Sequence, residues 1–174
     1  YEHVLPRGML RESAGGLRRA HAVIITRSDQ VDGETLASLR VRLGKMHPAA
    51  PVLVCSHELL VPDSVIDKQV FAFCGIGNPQ SFWHLLDRAR LTVAGRKTFN
   101  DHQHYTPEML QSLATTARAA GAEMLVTTEK DWTKVERIAS SVSLPIISMK
   151  MHVTFPIDDQ TSLLARIEQV VGRK

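Results

Sequence analysis

Apolar residues along the chain recur in two alternating rhythms, short β-branched runs and longer stretches with apolar positions three and four residues apart. Within Ala20 to Arg27, Val23-Ile24-Ile25-Thr26 is a continuous β-branched run, the pattern of a strand covered on both faces. Asp32 and Gly33 then open a predicted helix whose Leu36, Leu39 and Leu43 keep helical spacing as far as Gly44. Pro51 to Cys55 reads as a second buried strand, so this stretch predicts a β-α-β unit with a right-handed connection. Upstream, Leu5 to Gly16 carries Pro6, Gly8, Gly15 and Gly16 around Arg11-Glu12 and reads as a loop with at most one short helical turn.

Between His57 and Lys68 the periodicity fails at Pro62 and Asp63, which predicts a linker or domain boundary. Gln69 to Cys74 is strand-like, Gly75-Ile76-Gly77 a tight turn, and Asn78-Pro79 a cap and first turn for a helix burying Phe82, Leu85, Leu86 and Ala89. Leu91 to Ala94 reads as strand. Thr106 and Pro107 open a helix that Gly121 closes, with Met109, Leu110, Leu113, Ala114 and Ala117 inward. Met124 to Thr127 is the next strand, Thr128 caps a helical face of Trp132, Val135 and Ile138, and Pro145-Ile146-Ile147 resumes extended structure, with room to continue through Val153. A final amphipathic helix turns Leu163, Leu164, Ile167, Val170 and Val171 inward. Strands alternating with helices of about a dozen residues predict an α/β fold, a mainly parallel sheet flanked by helices.

Composition narrows the function. With 44% hydrophobic and 22% charged residues over 174 positions, a buried core is feasible in one full domain or two small ones. The net charge of +3 is spread among acids, without the stripe that nucleic acid requires, so nucleic acid is not expected as a partner. Cys55 and Cys74 lie in apolar runs without C-x-x-C spacing and fit buried thiols rather than a disulfide framework. There is no apolar run of membrane-spanning length and no signal-peptide layout. The opening Tyr1-Glu2-His3-Val4-Leu5-Pro6, without an initiator Met, reads as the middle of a longer protein.

Candidate chemistry collects where strands hand over to helices, the usual ligand edge of an open α/β sheet. Phe99 to Pro107 places Asp101, His102 and His104 in one such connection. Asp101 can couple to His102, or His102 can pair with an acid elsewhere and act as a base. Asp101, His102 and His104 could alternatively hold a metal, and a plain hydrogen-bonded loop is the third reading. Gly75-Ile76-Gly77-Asn78-Pro79 resembles a phosphate-binding turn but lacks the third glycine of a dinucleotide fingerprint, so tight turning without a ligand is the favoured reading. Glu129, Lys130 and Asp131 follow a strand at the first turn of a helix, where acids suit the dipole and where two polar clusters could share one cleft. G-x-x-x-x-G-K-[ST], G-x-S-x-G and H-E-x-x-H do not occur, so these residues alone make no usual backbone cradle for ATP phosphates.

Leu5-Pro6-x-Gly8-x-Leu10-Arg11-Glu12, Ala20-x-Ala22-Val23-Ile24-Ile25-Thr26-Arg27, Phe73-Cys74-Gly75-Ile76-Gly77-Asn78-Pro79 with Phe82, Phe99-x-Asp101-His102 before Tyr105-Thr106, and Val126 to Asp131 occur in the order found in one family. Together they resemble the tetraacyldisaccharide 4'-kinase family, over nearly the whole chain. The resemblance implies a P-loop kinase using ATP and Mg²⁺ to phosphorylate the 4'-hydroxyl of a lipid A disaccharide precursor, in the cytoplasm and peripheral to the inner-membrane surface. It implies that this chain is the carboxyl-terminal half, with the missing N-terminal P-loop half and its catalytic aspartate before Tyr1. On that footing residues 1–61 complete the nucleotide (kinase core) domain, and 62–174 form a smaller α/β domain whose last helix, about 159–171, could dock back on the first.

The same resemblance assigns roles. His102, beside Asp101, would pair with the absent aspartate to take the sugar proton; Arg11 would steady the transferring phosphoryl group; Glu12 would hold Mg²⁺. Asn78, Glu129, Lys130 and Asp131 would shape the substrate cleft. The chain departs from the family pattern in three places: Ser13 replaces a proline after Arg-Glu, Gln103-His104 replaces His-Pro, and Trp132-Thr133 replaces small residues. Two rival functions follow from the residues alone, a non-catalytic α/β binding module and a metal-dependent hydrolase built on Asp101, His102 and His104.

Overall fold

A computed structural model describes residues 3–8 and 10–172, so Tyr1 and Glu2 of the opening segment lie outside the described residues. In chain order come β1 (Val23–Ile25), α1 (Gly33–Met46), β2 (Val52–Val54), β3 (Ser56–Leu60), β4 (Gln69–Cys74), α2 (Pro79–Arg88), β5 (Thr92–Thr98), α3 (Pro107–Ala119), β6 (Met124–Thr128), α4 (Glu129–Val135), β7 (Ile146–Thr154) and α5 (Ile157–Val171). Short 3₁₀ turns, including one over Ala14–Arg19, fill several connections. The chain divides into two compact units, Tyr1–His57 with Val153–Lys174, and Glu58–His152. The division read in the sequence keeps 62–174 together with the last helix, about 159–171, able to dock back on the first part; here residues 153–174 group with the first unit.

In the first unit, β1 and β2 pair in parallel with Val23 opposite Val52 and Ile25 opposite Val54, joined by α1. Asp32 caps α1 by accepting from the Thr35 N–H at 2.7 Å and its hydroxyl at 2.8 Å, and the backbone bond in particular holds the Asp32 carboxyl below its ordinary pKa. The helix does not stop at Gly44 but runs to Met46, with His47 as its C-cap. Pro48 explains the end point, because its ring disfavours helical geometry at the preceding residue, and His47 sits at φ −144°, ψ 79°.

Helix α5 is held to this unit through polar bonds. The Asp159 carboxylate, 6% exposed, accepts from Arg40 at 2.7 Å and from the Val54 backbone N–H at 2.8 Å, while Arg166 donates to His21 O at 2.9 Å. Two expectations fail here. Ile24 on β1 is 42% exposed, and Leu164, Ile167, Val170 and Val171 on α5 are 45–66% exposed rather than inward. Periodicity marks which face of an element is apolar, but two three-residue strands offer too little surface to cover it.

In the second unit, the sheet order among the described residues is β3-β7-β6-β4-β5, with β4–β5, β4–β6 and β6–β7 parallel. Strand β4 is the centre of the core. Its Phe71 and Phe73 pack on one face against α3 residues Leu110, Leu113 and Ala114, and its Val70, Ala72 and Cys74 on the other against Phe82, Trp83 and Leu86 of α2. Asn78 with Pro79, and Thr106 with Pro107, open α2 and α3, and Gly121 closes α3 at φ +84°. Two edge strands exceed the sequence reading: β3 forms inside the expected linker, and β5 continues through Arg96-Lys97 to Thr98. The polar start of β3, Ser56-His57-Glu58, and the exposed polar end of β5, Arg96-Lys97-Thr98, carry no apolar alternation that marks a strand. The mixed α/β class with mainly parallel sheets stands.

Candidate functional site

The carboxyl ends of β4, β5 and β6 deliver three segments to one place in the second unit: the turn Gly75-Ile76-Gly77, the loop Phe99 to Tyr105, and the start of α4. They are locked by one side chain. Asp131 is fully buried, and its two oxygens accept from the Gly75 N–H at 2.9 Å, the Thr128 hydroxyl at 2.8 Å, the Tyr105 hydroxyl at 3.1 Å and the Lys134 ammonium at 3.4 Å. The Asp131 N–H donates in return to Thr128 Oγ1 at 3.1 Å, making the α4 cap reciprocal. Four donors meet the roughly four acceptor positions of a carboxylate, which is how a buried charge becomes tolerable. Burial first, and then the Asp131 charge, push the Tyr105 phenol above its ordinary pKa and the Cys74 thiol up to about 12, so Cys74 is not a nucleophile.

Tyr105 is also the aromatic floor of the loop. Its ring meets Phe99 and Phe73 edge-on, with centroids 5.3 and 5.7 Å away. A Cβ built on Gly75 would fall 2.9 Å from both Asn100 O and the Tyr105 hydroxyl, so glycine there is required by the approach of the neighbouring loop. Gly77 sits over Asp101, whose Oδ2 would lie 3.4 Å from an added Cβ.

On this base stands the exposed polar pair. Lys130 donates to Asp101 Oδ1 at 2.9 Å, and the His102 N–H donates to the same oxygen at 3.0 Å. The Lys130 bond, assisted by the His102 N–H, holds the Asp101 carboxyl below its ordinary pKa. His102 adopts φ +60°, uncommon for a side chain other than glycine, and its imidazole is 79% exposed with Nε2 3.7 Å from Asp101 Oδ2. The ring is therefore open to solvent while its Nε2 stays beside the carboxylate of its own loop.

The other sequence-singled residues fall elsewhere. Asn78 caps α2, accepting from the Ser81 N–H at 3.4 Å, and Glu129 accepts from the Met151 N–H at 3.3 Å. Arg11 and Glu12 belong to the first unit; both are exposed, and Glu12 pairs with Arg19 at 2.6 Å. The structure thus joins Asp101, His102, Lys130 and Asp131 into one cluster. Among the described residues no three His, Cys, Asp or Glu side chains converge as a metal site, so Asp101, His102 and His104 do not form the centre that a hydrolase would need. Tyr105 and Thr128 were missed as members of the cluster. The visible signal was a tyrosine standing between polar residues and a helix cap, with no partner legible nearby.

Comparison with known proteins extends this geometry. A sequence model of the LpxK family, described as tetraacyldisaccharide-1-P 4'-kinase, matches residues 1–172. The chain belongs to this family. Among curated relatives, the tetraacyldisaccharide 4'-kinase of Desulfotalea psychrophila is 33% identical over 165 residues, spanning 89% of this chain and 46% of that protein. That of Syntrophobacter fumaroxidans is 36% identical over 138 residues, or 73% of this chain and 36% of its own. The crystal structure of "apo" form LpxK from Aquifex aeolicus in complex with ATP superposes with a TM-score of 0.60 at 22% identity, covering 94% of this chain and 47% of that one, a likeness of fold. The chain spans less than half the length of these relatives. No helix among the described residues is long and apolar enough to cross a membrane.

Proposed function

We propose that this chain is the carboxyl-terminal part of a tetraacyldisaccharide 4'-kinase, acting with a P-loop half outside these 174 residues to transfer the γ-phosphate of ATP to the 4'-hydroxyl of a lipid A disaccharide precursor. The reading is carried by the family match along residues 1–172. The exposed imidazole of His102, on a loop anchored from below, supports it, because phosphoryl transfer needs an oriented base and charge neutralisation more than covalent help.

In this reading His102 pairs with an aspartate of the P-loop half, and the pair takes the proton from the sugar hydroxyl as its oxygen bonds to the γ-phosphorus and the bond to ADP breaks. Asp101 orients His102 through the backbone bond and the imidazole edge. Arg11 neutralises charge on the transferring group. Mg²⁺ would neutralise the nucleotide phosphates, and Glu12 is suited to it, since Mg²⁺ takes one or two carboxylate oxygens beside waters and phosphates; Arg19 must then release the oxygen it holds. Substrate and chemistry place the enzyme at the cytoplasmic side of the inner-membrane surface.

In the protein joined to its P-loop half, His102→Ala lowers kcat by roughly 10²-fold to 10⁴-fold, the usual contribution of a general base, while circular dichroism and thermal midpoint hold. Unchanged turnover removes His102 from the reaction. Failure of the unsubstituted protein to phosphorylate the disaccharide removes the whole reading.

A further inference from the structure

We propose that Asp131, with Lys130 beside it, is the positioning element for the loop that carries Asp101 and His102, a clamp that sets where the imidazole stands. Its catalytic consequence rests on the kinase reading; its structural content does not.

Three observations converge on it. First, an unpaired carboxylate in this position would be costly to bury, yet Asp131 is fully buried and met by four donors from four places in the chain. A carboxylate serving only the α4 dipole would need none of the distant ones. Second, the donors bracket the loop: Tyr105 lies at its far end, and Gly75 belongs to the turn it packs on, 26 and 56 residues away from Asp131. The near end is fixed independently, where the Phe99 N–H donates to Cys74 O at 2.8 Å. Third, the neighbouring Lys130 reaches the exposed middle of the same loop and holds Asp101, whose second oxygen faces the imidazole. Consecutive residues on one helical turn thus fix the loop from inside and outside. With His102 at φ +60°, a backbone state that relaxes if its surroundings loosen, such support from both sides is what keeps the ring's direction.

The test uses the full natural polypeptide and three substitutions, Asp131→Asn, Tyr105→Phe and Lys130→Met, read by hydrogen exchange and by steady-state kinetics. Tyr105→Phe keeps the ring on Phe73 and Phe99 and removes a single donor, so it decides the matter even where Asp131→Asn does not fold. Amide exchange over residues 99–105 should quicken about tenfold or more in Tyr105→Phe and Asp131→Asn, with the interior amides of β4 and β6 unchanged. Lys130→Met should quicken exchange at His102 and Gln103 while leaving the Gly75 amide protected. In the kinase assay kcat should fall at least about tenfold with the KM for ATP held within about twofold, because the kinase reading assigns the nucleotide to Arg11, Glu12 and the P-loop half rather than to this loop. Exchange that rises equally throughout the unit, or does not rise over 99–105, overturns the clamp. If the exchange pattern appears while the unsubstituted polypeptide shows no kinase activity, the clamp stands and the kinase reading falls.

Discussion

Replacing Gly75 with alanine separates two loops that are packed together from two that merely lie side by side. Gly75 is not among the residues with a left-handed φ, so alanine adds no backbone strain and the effect is steric. The new methyl would sit 2.9 Å from Asn100 O, 2.9 Å from the Tyr105 hydroxyl and 3.2 Å from Gln103 Cβ. None of these gives way easily. Asn100 O already accepts the Gln103 N–H at 3.1 Å, and the Tyr105 hydroxyl is bonded to Asp131. Overpacking of this kind costs about 1–3 kcal/mol, and retreat of Tyr105 would weaken a hydrogen bond to a charged group, so we expect about 2–3 kcal/mol in total. The assay is urea unfolding followed by tryptophan fluorescence, which reports this unit because both tryptophans, Trp83 and Trp132, lie within Glu58–His152. With a slope of roughly 1–1.5 kcal/mol per molar, the midpoint should fall by about 2 M. Gly77→Ala is the control: its methyl would meet Asp101 Oδ2 at 3.4 Å, an ordinary contact, and should change stability by less than about 0.5 kcal/mol. A Gly75→Ala midpoint within about 0.3 M of the parent, or equal damage from both substitutions, refutes the packed-loop reasoning.

Asp159→Ala should destabilise the first unit by about 2 kcal/mol, less than for a fully buried pair because Arg40 is 44% exposed; loss of protection at the Val54 amide is the readout, and unchanged protection would sink it. Asp101, whose carboxyl is held low chiefly by Lys130, contributes stability present above the unfolded-state pKa of about 3.9 and lost as pH falls through its lower folded value. A carbon-13 carboxyl titration should therefore give a midpoint below the ordinary aspartate range, and Lys130→Met should bring it back up; coincident midpoints would contradict the ion pair. Cys74, raised to about 12, and Cys55, raised by burial, should resist a thiol reagent at pH 8 until urea is added, whereas rapid labelling of the native chain would show that the sheet interior opens.

Much of the second unit was legible because its signals are local. A cap and its target lie three residues apart, as in Asn78 with Ser81, Thr106 with Met109 and Thr128 with Asp131, so sequence spacing carries them directly. The apolar run of β4 likewise marks a strand, and the structure covers it on both faces. The Asp101-His102 pair was legible as part of a polar loop by its place after a strand. Less was legible in the first unit, where the same logic marked α5 as amphipathic but could not say that its apolar face stays largely exposed.

The sequence by itself determined the alternation of strands and helices, the caps, the central apolar strand and the family of the chain, because each depends on neighbours within a few residues or on ordered motifs. Only the tertiary structure decided that Asp131 is an inner anchor rather than a dipole-complementing acid, and that Gly75 is glycine for a loop packed against it. It also carried α1 past Gly44 to Met46, two residues before Pro48. The physical reason is distance along the chain: a buried carboxylate is tolerable only through its donors, and two of those for Asp131 come from 26 and 56 residues away, a separation at which no local pattern leaves a trace.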